Sequence, residues 1–252
     1  RMPPPARAFA RQQPLAILGA MGAGGRVWAS ALTGEPGFLA PEREDLLAIH
    51  ASIPAGDPLA GALTSGSALG LLVIDFATRR RMRLNGRVAD IGASIRVVPE
   101  QVYSNCPKHI RPRTVTALNA PVLRAVRRGQ ALSPDQRAWI ARADTLFIAS
   151  AHPVAGVDVS HRGGPPGFVR VTGDRTLEWD DFAGNALFQT LGNIAVEPRA
   201  GLLLVDFAEG NTLQITGRAE TLWRGTERSV RFVAEDMVET SQAMPVRWRV
   251  SP

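Results

Sequence analysis

The run Asp158-Val159-Ser160-His161-Arg162-Gly163-Gly164-Pro165-Pro166-Gly167-Phe168-Val169 puts a hydroxyl, an imidazole and a guanidinium just ahead of a Gly-Gly-Pro-Pro-Gly turn. Glycines let a ligand approach the main chain and leave N–H groups for phosphate oxygens, and Arg162 adds a planar fork of donors. The same residues would equally make a tight hairpin with a solvated arginine. A second segment, Gly184-Asn185-Ala186-Leu187-Phe188-Gln189-Thr190-Leu191-Gly192-Asn193, reads as the start of a short helix. A helix start offers unpaired N–H donors and a positive dipole end, and Asn185, Gln189 and Thr190 add neutral donors for phosphate. A plain N-cap by Asn185, with Thr190 exposed, is the competing reading. Cys106-Pro107-Lys108-His109 brings a thiol, an ammonium and an imidazole together, although a lone cysteine is more often a small buried hydrophobe. His152 and His161 are potential proton donors. No Cys/His pair has metal-ligand spacing, and no Gly-x-Ser-x-Gly or Walker-type loop occurs, which disfavours zinc, hydrolase and nucleoside-triphosphatase readings.

These segments sit in a chain that repeats itself. Gly70-Leu71-Leu72-Val73-Ile74-Asp75-Phe76 returns as Gly201-Leu202-Leu203-Leu204-Val205-Asp206-Phe207, a spacing of 131 residues. Met82–Arg87 returns as Leu213–Arg218 and Leu15–Leu18 as Leu146–Ala149 at the same spacing, and Pro36-Gly37-Phe38 as Pro166-Gly167-Phe168 at 130. Solenoid repeats run about 20–50 residues, so this is a duplicated globular unit. Such a duplication often replaces a homodimer, and a site at the old dimer interface becomes internal. The two copies are unequal. Ser30-Ala31-Leu32 stands against Ser160-His161-Arg162, and Pro58-Leu59-Ala60-Gly61 against Gln189-Thr190-Leu191-Gly192. Leucine cannot replace a guanidinium, so phosphate binding is expected in the second copy alone.

The elements follow the same doubling. Leu15–Met21, Arg26–Thr33, Leu69–Asp75, Arg81–Ile91 and Ile95–Val102 read as strands of the first half, with Asp45–Ala51 a short strand or helical turn. Thr145–Ala151, Val157–His161, Phe168–Val171, Thr176–Trp179, Ala200–Phe207, Thr212–Trp223 and Arg228–Glu235 read as strands of the second, with a helix over Asn185–Ala195 stopped by Pro198. Residues 1–13 read as a Pro/Arg-rich arm, and residues 121–143 as a helical linker with a cap-like Ser133-Pro134-Asp135. The expected domains are 1–120, 121–143 and 144–252. The charge of +6 comes from 29 basic residues against 23 acidic ones; the basic residues are nearly all arginines, scattered apart from Arg79-Arg80-Arg81 and Arg127-Arg128, a pattern that does not favour nucleic acid but leaves a local cluster able to receive a phosphorylated cofactor. The absence of any membrane-length apolar run, together with a single cysteine, leads to the expectation of a soluble cytoplasmic protein.

Asp158–Val169, Thr190-Leu191-Gly192-Asn193, Gly201–Phe207 and Asn105-Cys106-Pro107-Lys108-His109-Ile110 together resemble the tandem-repeat branch of the pyridoxamine 5′-phosphate oxidase-related, FMN-binding split-barrel family. The resemblance spans nearly the whole chain. It implies a mainly β fold with a few helices (α+β): two tandem split β-barrels forming an internal pseudo-dimer, with FMN between them. It points to Ser160, Arg162, Asn185, Gln189 and Thr190 at the phosphate end, with His161, Gly163, Gly164 and Phe168 in the same segments. Cys106, Lys108 and His109 would lie near the flavin ring. The better-known oxidases of the family carry an Arg/Lys pair at the helix start, where this chain has Gln189 and Thr190. The implied activity is a flavin-dependent oxidoreduction with NADH or NADPH as donor and a small-molecule substrate or acceptor, its catalytic residues unassigned. A non-enzymatic flavin- or haem-binding protein is the rival reading. A true pyridoxamine phosphate oxidase ranks lower, because the C-terminal Arg247-Trp248-Arg249 does not match that enzyme's substrate-phosphate arginines. A homodimer is allowed but not required, since the pseudo-dimer is internal.

Overall fold

The computed structural model describes residues 1–118, 125–182 and 188–251. A helix α1 (Pro4–Gln12) precedes β1 (Leu15–Met21), β2 (Val27–Thr33), β3 (Leu39–Arg43), β4 (Leu46–Ile49), β5 (Ala68–Asp75), β6 (Arg80–Ile91) and β7 (Ile95–Ser104). Then come β8 (Arg113–Leu118), β9 (Val126–Gly129) and α2 (Pro134–Arg142). The rest is β10 (Thr145–His152), β11 (Gly156–Gly163), β12 (Val169–Val171), β13 (Thr176–Asp180), α3 (Gln189–Val196), β14 (Arg199–Val205), β15 (Thr212–Arg224), β16 (Glu227–Thr240) and β17 (Val246–Val250).

The first sheet has the order β2-β1-β5-β6-β7-β4-β3, the second β11-β10-β14-β15-β16-β13-β12. Replacing each strand by its repeat turns one order into the other, so the duplication read from the sequence is a duplication of topology. All the pairings are antiparallel. Leu32 of β2 and Leu39 of β3, from opposite ends of the first sheet, share one core, so the sheet curls round on itself. Two tandem split barrels result, as expected.

The apolar runs are continuous because they serve two cores at once. In a strand, alternate side chains point to opposite faces. Ala16, Leu18, Leu71 and Val73 enter the first barrel, while Leu15, Ile17, Leu72 and Ile74 join a third core between the halves. Leu202 and Leu204 enter the second barrel, while Leu203 and Val205 meet the first half. The glycine opening each repeat has a matching role. A Cβ on Gly70 would stand 2.8 Å from the Val157 carbonyl oxygen, and one on Gly201 2.6 Å from that of Val27. β5 therefore packs main chain to main chain on β11, and β14 on β2.

Some expectations are corrected. Residues 1–13 are not a plain arm: Pro4–Gln12 is helical, its prolines occupying the first turn where no N–H is needed. Within the stretch 121–143, the described residues 125–143 are helical only over Pro134–Arg142, closed at its start by a Ser133/Gln136 capping box; β9 pairs with β16 instead. β17, not anticipated, pairs with β8 and ties the two halves together. The helix expected from Asn185 is described from Gln189, and Asn185 itself lies outside the described residues. No helix among the described residues is long and apolar enough to cross a membrane.

Candidate functional site between the halves

Arg81, Arg83 and Asn85 alternate with Met82 and Leu84 along β6. The apolar pair faces the first barrel core, so the polar residues face the other half. There they meet β11. Arg83 Nη1 donates to Asp158 Oδ2 at 2.9 Å and Nη2 to Ser160 Oγ at 2.8 Å. Asn85 Nδ2 donates to Asp158 Oδ1 at 3.3 Å. Arg81 Nη1 stands 2.8 Å from His161 Nδ1 and also reaches the His161 carbonyl at 3.3 Å. All of these side chains are buried.

Since a guanidinium only donates, His161 Nδ1 must accept, and the ring proton sits on Nε2. Burial, reinforced by Arg81, Arg113 and Arg162, holds the His161 pKa well below its ordinary value. This imidazole is neutral and fixed, set edge-on to Phe147 and Phe76, and it is no solvent-facing proton donor.

Arg162, 5% exposed, points toward Asp181, whose Oδ1 lies 3.6 Å away; Arg228 reaches the other oxygen at 3.3 Å. Neither Asp181 oxygen has a hydrogen-bond partner among the described residues. The Arg162 fork is therefore attracted to Asp181 but not hydrogen-bonded by it. Arg81, Arg83, Arg162 and Arg228 together outnumber Asp158 and Asp181 by two charges. Burial first, then the neighbouring cations, brings Arg81 down to about 10. Burial, with Arg83 and Arg228 opposing the help of Asp181 and Asp158, brings Arg162 to about 10 as well. A cationic cluster of this kind is stabilised by an anion.

The start of α3 faces this cluster from the second half. Tyr103 Oη of β7 stands 2.9 Å from Asp158 Oδ1 and 2.5 Å from Gln189 Oε1, and Gln189 Nε2 donates to Gln101 Oε1 at 3.3 Å. Thr190 is buried, and its Oγ1 has no partner among the described residues. The N–H groups of the first helical turn lie beside it. The chain from Asn105 to Ile110 closes one side. His109 stacks on Phe182 with ring centroids 5.4 Å apart. Cys106, Lys108 and His109 are exposed. The space beside Gly163 is taken by the His109 carbonyl, and that beside Gly164 by Phe168, which is a core residue of the second barrel. An open cleft of 660 Å³ adjoins the cluster, lined by Phe182, Asp181, Arg228 and Arg224 among others.

The structure thus brings Ser160, His161, Arg162, Gln189, Thr190, Cys106 and His109 to one interface. Arg83, Asn85, Tyr103 and Asp158 were not singled out from the sequence as site residues, and Arg81 was marked only as part of the Arg79-Arg80-Arg81 cluster. The polar–apolar alternation Arg81-Met82-Arg83-Leu84-Asn85, on a strand otherwise buried, was the available signal.

The related place on the opposite side is built differently. Gln214 corresponds to Arg83 in register, each facing the third residue of its Gly-Leu-Leu repeat, Leu203 or Leu72. Gln214 Nε2 donates to Ser30 Oγ at 2.9 Å and to Asp57 Oδ2 at 3.0 Å. Asp57 Oδ1 also accepts from Ser30 Oγ and the Leu59 N–H, both at 2.8 Å. Only 20 Å³ of space remains there.

No protein-family profile and no curated protein matches the chain. Solved structures resemble parts of it. HupZ of Group A Streptococcus has a TM-score of 0.35 at 14% identity, covering 42% of this chain and 91% of its own. HutZ, the heme storage protein of Vibrio cholerae, has a TM-score of 0.34 at 11% identity, covering 44% and 95%. The FAD binding protein of Mycobacterium smegmatis has a TM-score of 0.31 at 15% identity, covering 46% and 98%.

Proposed function

We propose that the cationic interface binds one FMN per chain, and that the protein is an FMN-dependent oxidoreductase of the pyridoxamine-phosphate-oxidase-like kind, reduced by a nicotinamide nucleotide. The observation that carries this reading is the excess of two positive charges in the cluster of buried Arg81, Arg83 and Arg162 with partly buried Arg228, beside the α3 start and the Thr190 hydroxyl, which has no partner among the described residues. A phosphate monoester fits that donor set: it would supply the missing negative charge and accept from Thr190 and the helix N–H groups. FMN, when bound, supplies the hydride and electron chemistry. The residues of the chain hold and orient it: Arg83 keeps Ser160 in place, Arg81 fixes the tautomer of His161, and Tyr103 braces Gln189. Phe182, which lines the adjoining cleft and stacks on His109, offers a flat surface to a ring system. The opposite place has Gln214 and Leu32 where Arg83 and Arg162 stand, and Asp57 already accepts from its donors, so a stoichiometry of one is expected.

The test is an absorption spectrum of the purified or flavin-reconstituted protein, chromatography of the released ligand against FMN and FAD, and anaerobic addition of NADH or NADPH. Released FMN and bleaching by a nicotinamide donor support the enzyme. Bound flavin that no donor bleaches supports a carrier, a Soret band supports a haem binder, and recovered FAD or no flavin at all overturns the FMN assignment.

A further inference from the structure

A second cavity lies away from the cluster just described, on the first half. It occupies 760 Å³ between α1 and the adjoining ends of β6 and β7. Proline, alanine and Phe9 of α1 form one wall, and Arg79, Arg80, Arg81, Tyr103 and Asn105 contribute to the other. Its volume falls in the range of roughly 300–1,000 Å³ common for small-molecule sites. No carboxylate lines it among the described residues. The nearest acidic group in sequence, Asp75, is engaged with the Ala77 and Thr78 N–H groups and with Thr78 Oγ1 at 2.6 Å. Those bonds build the turn that presents the arginines: Arg80 Nε donates to Thr78 Oγ1 at 3.2 Å, and its guanidinium carbon stands 5.1 Å from the centroid of the Phe9 ring. At the back, Arg81 is 5% exposed, and neither its Nε nor Asn105 Oδ1 has a partner among the described residues.

We propose that this cleft is a binding site for a small aromatic anion. Three guanidinium groups without an opposing carboxylate favour the negative charge. The flat Arg80 guanidinium, already stacked on the Phe9 ring, favours a planar body laid against that pair. The cavity is distinct from the FMN proposal, since Ser160, Arg83 and Thr190 do not line it; Arg81, Tyr103 and Asn105 stand on the border between the two. Through Arg81, which also holds His161, an occupant would touch the interface network.

Anilinonaphthalene sulfonate, a planar aromatic anion, is a suitable probe. Titrated into the full folded chain, it is expected to bind once, with enhanced, blue-shifted fluorescence. The double variant Arg79→Glu/Arg80→Glu alters two exposed side chains and is expected to weaken binding at least about tenfold, with an unchanged circular dichroism spectrum and FMN affinity. Arg80→Gln, which removes one charge without reversing it, is expected to fall between. Saturating FMN should leave the probe bound. No binding to the natural chain, binding by the double variant equal to that of the natural chain, or full displacement of the probe by FMN would each overturn the proposal.

Discussion

Arg83 of β6 and Gln214 of β15 hold the same place in the two halves, and each donates across the interface to a serine: Arg83 to Ser160 at 2.8 Å, Gln214 to Ser30 at 2.9 Å. The pseudo-twofold relation thus extends from topology to single hydrogen bonds, and the chemistry differs at the same point. Arg83 brings a charge that Asp158 neutralises. Gln214 brings an amide, and its carboxylate partner, Asp57, comes from a loop.

Removing one member of the buried Arg83–Asp158 pair leaves an uncompensated charge between the halves. Arg83→Met is expected to cost about 3–5 kcal/mol in urea unfolding. The double variant Arg83→Met/Asp158→Leu is expected to cost less than that, because no buried charge stays unpaired. A double variant less stable than the single one would show that the pair is itself a net source of stability.

FMN binding separates the two places. Arg162→Ala is expected to weaken FMN by about ten- to a hundredfold, the worth of a charge-assisted contact to phosphate. Leu32→Ala should leave the affinity alone. Asp57→Leu removes the acceptor of the Ser30 hydroxyl and the Leu59 N–H, while Gln214 keeps the Ala29 carbonyl and Ser30, and should lower stability by about 1–3 kcal/mol with no change in FMN affinity. Fluorescence-quenching titrations decide: two equivalent sites per chain, or an Arg162→Ala variant that binds normally, would place the phosphate elsewhere.

The repeat glycines should be intolerant of a methyl group. Gly70→Ala and Gly201→Ala each push a Cβ to within 3 Å of the other half's main chain, which cannot yield as a flexible side chain would. Each is expected to lose about 1–3 kcal/mol. Gly92→Ala, which meets nothing within 4 Å, is the control. Thermal melts showing all three alike would refute the close approach.

His161 gives a pH signature. Its folded pKa lies well below the ordinary 6.5, so below pH 6.5 the unfolded chain takes up a proton that the folded chain refuses. Stability from this group is complete above 6.5 and declines as the pH falls, by up to about 1.4 kcal/mol per pH unit. In His161→Gln this component of the acid loss should disappear. Unfolding free energies measured from pH 7 to 5 that fall equally steeply in both proteins would disprove it.

Much of the fold was legible because it rests on local and periodic signals. The spacing of 131 announced the duplication, and continuous apolar runs marked β1, β5, β10 and β14. The Ser160-His161-Arg162 and Gln189-Thr190 segments were visible as donors beside a turn and a helix start. Two signals were misread for local reasons. Prolines that begin α1 resembled an extended arm, and the short strands β9 and β17 carry too little pattern to stand out before their partners are known.

Two copies of one β fold, and the inequality between them, are already written in the order of residues, since Leu32 stands where Arg162 does and Gln214 where Arg83 does. That the cations of β6 belong to the same site as the Ser-His-Arg segment of β11, some eighty residues apart, emerges with the packing of the halves. The reason is physical. Which face of a strand is polar can be read from alternation, but what that face meets depends on how two curled sheets pack. The glycines Gly70 and Gly201 set that packing by letting main chain approach main chain, a property no side-chain pattern encodes.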